Sequence, residues 1–217
     1  MKKKLLIAVC ILAMLLSCMP AQASTLNNFF VRTRYGELAL YQNYPYHYEI
    51  GVYEGFYMYP EAYLDELWAD MDTTEEEDEI FDFRLWTSPD RIYTLQIQVK
   101  EQTYDSFATE VKQAPHYMDL RGPVLEAEGY TNIRPLHSGI IRKTPVGDML
   151  EIAYAFSFQQ ESGKTTDVAV LYYDCYYKDI EYIFELTALN GDYIAAQQLL
   201  DAMVQTLNIT YRRYRII

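Results

Sequence analysis

Three histidines, a few cysteines and two groups of carboxylates are the residues of this chain that could do chemistry. His47, His116 and His137 are the only histidines, and no two stand at helical ligand spacing, so a three-histidine metal site needs three remote segments to converge. Cys175 could act as a nucleophile beside a histidine, but it alternates with Ala169, Leu171 and Tyr173 on one strand face. That places it in apolar surroundings, where a thiol is inert. Asp70, Asp72, Glu75, Glu76, Glu77, Asp78 and Glu79 form an acidic run. Their order lacks the central Gly of a calcium loop and reads as a solvated connection. Glu181 and Glu185 share a strand face but stand ~13 Å apart, beyond the roughly 5–9.5 Å of a glycosidase pair. They read as solvated sheet surface. No phosphate-binding Gly loop, H-E-x-x-H, C-x-x-C or G-x-S-x-G is present. The expectation is no catalytic residue, no metal and no cofactor.

Tyrosine is the unusual component. The chain has 22, and eight fall between Tyr41 and Tyr63. If residues 44–48 are extended, Tyr44, Tyr46 and Tyr48 share one face at ~7 Å spacing. With Tyr53 and Tyr57 they form a candidate aromatic contact surface for a glycan or an envelope protein. The competing reading makes these rings strand-forming core, since Ile50 and Val52 continue the same face. Tyr172 and Tyr176 form a second candidate pair, opposite Cys175 and next to Asp174.

The N-terminus fixes where such a surface would work. Lys2, Lys3 and Lys4 precede an uncharged apolar run over 5–16, Pro20 breaks it, and Ala21-Gln22-Ala23 offers small residues for cleavage. This is the pattern of a signal peptide over 1–23, too short for a membrane span. Leu15-Leu16-Ser17-Cys18 also matches a lipobox, so acylation of Cys18 and a lipid-anchored product is the alternative to free secretion. Residues 24–217 are expected to form one domain with no transmembrane segment. Loss of 1–23 makes the formal charge three units more negative than −13. Such a surface repels phosphate backbones and anionic lipid, which excludes nucleic acid and membrane-surface binding. Cys175 is then the only cysteine, so no internal disulfide is available.

Periodicity supplies the elements that must position these groups. Residues 91–100 alternate Tyr93, Leu95, Ile97 and Val99 against Thr94, Gln96, Gln98 and Lys100. The same period recurs over 150–158, 169–177 and 180–186, with short hairpin connections at Ser88-Pro89-Asp90, Ser162-Gly163-Lys164 and Lys178-Asp179. One apolar and one mixed face per strand predicts an antiparallel sheet, with Gln96, Gln98, Glu151, Glu181 and Glu185 on its exposed side. Helices are expected over 60–71, over 103–113 with a Thr103 cap, and over 192–207 with Asp192 as cap. A short helix is expected to open at Pro123 and end at Gly129. The class is α+β, an antiparallel sheet with helices packed on it.

A strand over 180–189, the turn Asn190-Gly191-Asp192 and an amphipathic helix through 194–209, preceded by long hairpin-linked strands and a helical middle, resemble the PsbP-like fold. The resemblance covers 42–209 and lies in element order. It implies an α/β/α sandwich and a non-catalytic, extracytoplasmic binding or assembly module. The Tyr-rich N-terminal arm, Tyr41–Tyr59, is a departure from it. The function expected is that of a secreted or surface-tethered binding or assembly domain of the bacterial cell envelope. The alternatives are an envelope hydrolase using His47 or His137 with a carboxylate, and a lipoprotein assembly partner.

Overall fold

The computed structural model describes residues 36–64, 80–101, 103–160 and 162–209. The expected leader 1–23 with Cys18, the acidic run and the end of the expected 60–71 helix lie outside the described residues. Ten strands and three helices follow in the order β1 (Leu38–Asn43), β2 (Tyr48–Tyr53), β3 (Tyr57–Met58), β4 (Ile80–Thr87), β5 (Tyr93–Glu101), α1 (Tyr104–Gln113), α2 (Tyr117–Ala127), β6 (Thr131–Thr144), β7 (Gly147–Gln159), β8 (Thr165–Tyr177), β9 (Ile180–Ala188), α3 (Tyr193–Val204) and β10 (Asn208–Ile209). Residues 61–64 begin a further helix after Pro60. Among the described residues no helix is long and apolar enough to cross a membrane.

Seven strands form one antiparallel sheet, ordered β3-β4-β5-β9-β8-β7-β6, and β1, β2 and β10 form a second, smaller one. The large sheet is covered on both sides, as the α+β expectation and the sandwich require. One face carries Leu95, Ile97, Leu171, Tyr173, Phe184 and Leu186 into the main core, where Ala196, Leu200 and Met203 of α3 and Ile50 and Val52 of β2 meet them. The other face packs Tyr154, Phe156, Val168 and Val170 against Leu125 of α2 and Tyr130. The hairpins at Ser88 and Lys178 connect β4 to β5 and β8 to β9 in the expected places. Lys178 and Asp179 take φ of 52° and 66°, which suits the right-handed twist of a two-residue hairpin turn.

Four expectations need correction. The 44–48 segment is not extended: residues 44–47 form the β1–β2 turn, with His47 at φ 56°. Tyr44, Tyr46 and Tyr48 therefore make no shared ladder. Tyr44 is 75% exposed, whereas Tyr48 and Tyr53 are 2% and 3% exposed, in the core. Tyr46 packs partly buried beside the core, and Tyr57 stays exposed. Next, Pro123 does not open a helix. It lies inside α2, which begins at Tyr117 after a single 3-10 turn over Ala114–His116. Contacts of Leu125 and Val124 with the sheet hold this helix against its proline. Third, α1 is capped by Thr103 as expected, yet it buries none of its residues and Tyr104 is 64% exposed. Fourth, the mixed sheet face is not open to water. Gln96, Glu151, Glu181 and Glu185 are all at or below 5% exposure. They do not even share a side, because Glu151 pairs with Tyr173 on the α3 side and Glu185 with Tyr172 on the other.

Strand β6 escaped the periodicity reading because its alternation is broken. Its pairing with β7 slips at Thr131/Arg134, Pro135/His137 and Ser138/Ile140, each an irregularity that offsets the side-chain alternation. Gly139, at φ 73°, lies where a Cβ would come within 3.2 Å of the Pro115 ring, so the sheet edge and the helical layer meet there through a glycine.

Candidate functional site

The face under α1 and α2 can be read as a grid, because antiparallel pairing sets residues side by side. One row runs Gln96, Glu185, Tyr172, Ile152, and the next runs Gln98, Ile183, Asp174, Leu150. A third holds Lys100, Glu181 and Tyr176. Rows of this kind stand ~7 Å apart. Each strand contributes a polar residue here because only one face of each was needed for the main core.

Helix α1 buries none of its residues and meets this grid where Tyr104 and Phe107 both pack on Tyr176 at ring distances of 5.7 Å. Helix α2 is seated farther along by Leu125 and Tyr117. A cavity of about 390 Å³ is left between sheet and helices, within the ~300–1,000 Å³ usual for ligand pockets. Its walls combine Tyr117, Leu120, Leu150, Ile152 and Ile183 with Gln96, Gln98, Lys100, Glu110, Asp174, Glu185 and Arg121. Apolar walls with a few convergent polar groups are the usual make-up of a binding site.

At one end, oxygens of Glu110, Asp174 and Glu181 lie within 4.8 Å of one another. Lys100 Nζ supplies positive charge, 2.6 Å from Glu181 and 3.9 Å from Glu110. Burial, and then the negative charge of Glu110, push the Asp174 carboxyl well above the usual carboxylate range, against the pull of Lys100. Its Oδ1 is buried with no hydrogen-bond partner. Burial also raises Glu185, which accepts a 3.0 Å bond from Thr187.

At the other end, Arg121 lies among the hydroxyls of Tyr117, Tyr154 and Tyr172. Burial opposes its charge, and those three tyrosines more than restore it. The Tyr154 and Tyr172 hydroxyls stand 3.3 Å apart, and the Nε of Arg121 is buried without a partner.

The histidines are elsewhere. His47 is in the β1–β2 turn. His116 is exposed and pairs with Asp119 at 3.1 Å. His137 packs on Tyr193 on the α3 side of the sheet. None lines the cavity. Cys175 is buried in the main core, where burial pushes its thiol pKa up. A second hollow of about 450 Å³ lies between β6 and α3. Its charged walls are engaged, since Arg142 pairs with Glu151 and Asp201, and Tyr173 donates to Asp201.

Of the residues singled out in the sequence, Tyr172, Gln96, Gln98 and Glu185 line the cavity and Tyr176 sits at its α1 end, while Tyr44, Tyr46, Tyr48, Tyr53 and Tyr57 are not among its walls. Arg121, Tyr117, Asp174, Lys100 and Glu110 were not foreseen as wall residues. One signal was available. Two helices over 103–128 must pack on something, and the face opposite the main core carries Leu150, Ile152, Tyr172 and Ile183 for them to cover.

No family model matches this chain, and no curated protein matches it. Solved structures are similar to it in fold. Cyanobacterial PsbP (CyanoP) from Synechocystis sp. PCC 6803 is 11% identical over 87% of this chain and 99% of that one, with a TM-score of 0.49. The Ran-binding protein Mog1p of Saccharomyces cerevisiae is 12% identical over 80% and 96%, TM-score 0.42. LpqN, involved in cell envelope biogenesis of Mycobacterium tuberculosis, is 11% identical over 76% and 83%, TM-score 0.42. The element order read as PsbP-like thus has a PsbP structure among its matches. At such identities and TM-scores below 0.5, the likeness carries nothing about what the site binds.

Proposed function

We propose that this chain is a non-catalytic binding domain of the bacterial cell envelope, and that the cavity under α1 and α2 is its ligand seat. The observation that carries this is a cavity of about 390 Å³ whose walls bring polar side chains from β5, β8, β9, α1 and α2 together with apolar ones. Export by the leader 1–23, with release or with lipid attachment at Cys18, fits the sequence of the N-terminus. The exposed rings Tyr44 and Tyr57 would offer a separate contact for a glycan or an envelope protein. The hydrolase alternative named His47 and His137, and neither lines this cavity.

The test is to incubate the full chain with envelope extract, re-isolate it, and read retained small molecules by native mass spectrometry. An Ile152→Trp variant fills the cavity from β7. The expected result is a retained species in the wild type that disappears in this variant while circular dichroism and melting temperature persist. Equal retention by both proteins overturns the proposal.

A further inference from the structure

We infer that the cavity takes a short, uncharged stretch of extended peptide with aliphatic side chains, its backbone hydrogen-bonded to the carboxamides of Gln96 and Gln98. The inference deepens the ligand seat proposed above and rests on it.

Gln96 and Gln98 of β5 both line the cavity. Neither carboxamide has a hydrogen-bond partner among the described residues. Gln96 is only 5% exposed, yet neither polar atom of its side chain is sealed off. The space these atoms reach is the cavity that the residue lines. A carboxamide both donates and accepts, so it calls for a partner that offers a donor and an acceptor side by side. An extended peptide does so, because the N–H and C=O of one residue point to the same side, and the pair recurs at every second residue. That interval is ~7 Å, and it is also the spacing of Gln96 and Gln98 on one face of their strand. A segment laid along β5 therefore meets both glutamines with equivalent backbone groups. Across the sheet the same two rows continue into Ile183, Ile152 and Leu150, which line the cavity with Leu120 and give aliphatic side chains a surface to cover.

Other ligand classes fit these walls less well. A charged ligand finds the ions of the cavity engaged. Lys100 Nζ is 2.6 Å from Glu181 and 3.9 Å from Glu110, Arg121 lies among the Tyr117, Tyr154 and Tyr172 hydroxyls, and Glu185 accepts from Thr187. Burial favours the neutral acid of Asp174. An alkyl chain fills the aliphatic side but drives water from the two carboxamides without replacing its hydrogen bonds. A flat base needs a parallel slot, and the Tyr117 and Tyr172 rings meet at 59°. A sugar offers hydroxyls to the glutamines but no branched apolar body for Leu150, Ile152 and Ile183. A peptide with aliphatic side chains meets both kinds of wall at once.

Calorimetric titration of the full chain decides the matter with N-acetyl-leucyl-leucine methylamide, the same molecule with its central amide replaced by an ester, leucyl-leucine with free termini, octanol, methyl glucoside and adenine. The expected result is saturable binding of the capped peptide, with the ester weaker by about fivefold for its missing N–H and the other probes weaker still. In Gln96→Leu or in Gln98→Leu, whichever faces the central amide, peptide and ester should bind alike. The comparison of peptide and ester is made on the wild type, so it holds even if a variant fails to fold. An ester that binds as tightly as the peptide overturns the inference, and so does a difference between them that persists in both variants. Equal binding by any of the other probes, or no binding of the capped peptide, overturns it as well. If another probe or an extract molecule binds and is lost in Ile152→Trp while the capped peptide does not bind, the ligand seat stands and the peptide falls. If nothing binds and nothing is retained, both fall.

Discussion

The two faces of the large sheet each bury carboxylates and treat them in opposite ways. On the α3 side Glu151 is fully buried. It accepts from the Arg142 guanidinium, from the Tyr193 hydroxyl at 3.1 Å and from Gln197 at 3.1 Å. Arg142 also reaches Asp201 and lies over the Tyr173 ring. Its side-chain partners come from β6 and α3, so this carboxylate ties the helix and the edge strand to the sheet. On the α1–α2 side Asp174 lies among walls that leave Oδ1 without a partner, beside a helix that buries nothing. The same residue chemistry is closed into structure on one face and left open on the other. A buried carboxyl that the fold satisfies holds the fold, and one with an oxygen left unsatisfied costs it stability.

Breaking the closed side should give the largest effect. Glu151→Ala strands Arg142, Tyr193 and Gln197, and the loss of one partner from a buried pair costs about 3 kcal/mol at a site where the arginine keeps some contact with water. Urea unfolding measures it. A loss near zero would mean that Glu151 does not hold α3. The open side should respond in the reverse direction. Asp174→Leu removes an acceptor that has no partner, and should stabilise the chain at neutral pH by about 1 kcal/mol. A destabilisation would show that Asp174 is satisfied in the folded protein.

The pH dependence sharpens the same contrast. Burial raises the folded-state pKa of Asp174 above its unfolded value, and shifts Glu185 and Asp82 in the same direction. The native chain therefore holds protons that the unfolded chain has already released. Stability from these groups is fully present below the ordinary carboxylate range and is lost as pH rises through their folded-state values. Melting temperature followed upward from about pH 4 should fall less steeply in Asp174→Leu than in the wild type. Equal slopes would remove Asp174 from the titration. The smallest effect belongs to neither face. Tyr44→Ala, at an exposed turn, should change stability by less than about 0.5 kcal/mol, and a larger loss in urea would mean that its ring supports the hairpin.

Much of the frame was legible in the chain. Alternation in 91–100, 150–158, 169–177 and 180–186 located β5, β7, β8 and β9, and Thr103 and Asp192 did cap α1 and α3. Strand β6 was not legible, because its register slips erase the period that identifies a strand. The tyrosine ladder failed for a related reason. Alternation in 44–48 assumed an extended backbone, and the chain instead reverses there, sending Tyr48 inward and Tyr44 outward. The candidate site was the least visible part. Its walls come from β5, β7, β8, β9, α1 and α2, and no local pattern connects Arg121 to Asp174.

By itself, the sequence determined the leader-like N-terminus, the acidic balance, the antiparallel pairing and the residues of the main core, because each depends on composition or on spacing within a single segment. Only the tertiary structure decided that the polar faces of these strands are covered, that Glu151 and Glu185 lie on opposite sides, and that a cavity remains under α1. Whether a glutamate on a mixed strand face meets water or another side chain depends on where distant helices settle, and that is fixed by packing across the whole chain rather than by the residues next to it.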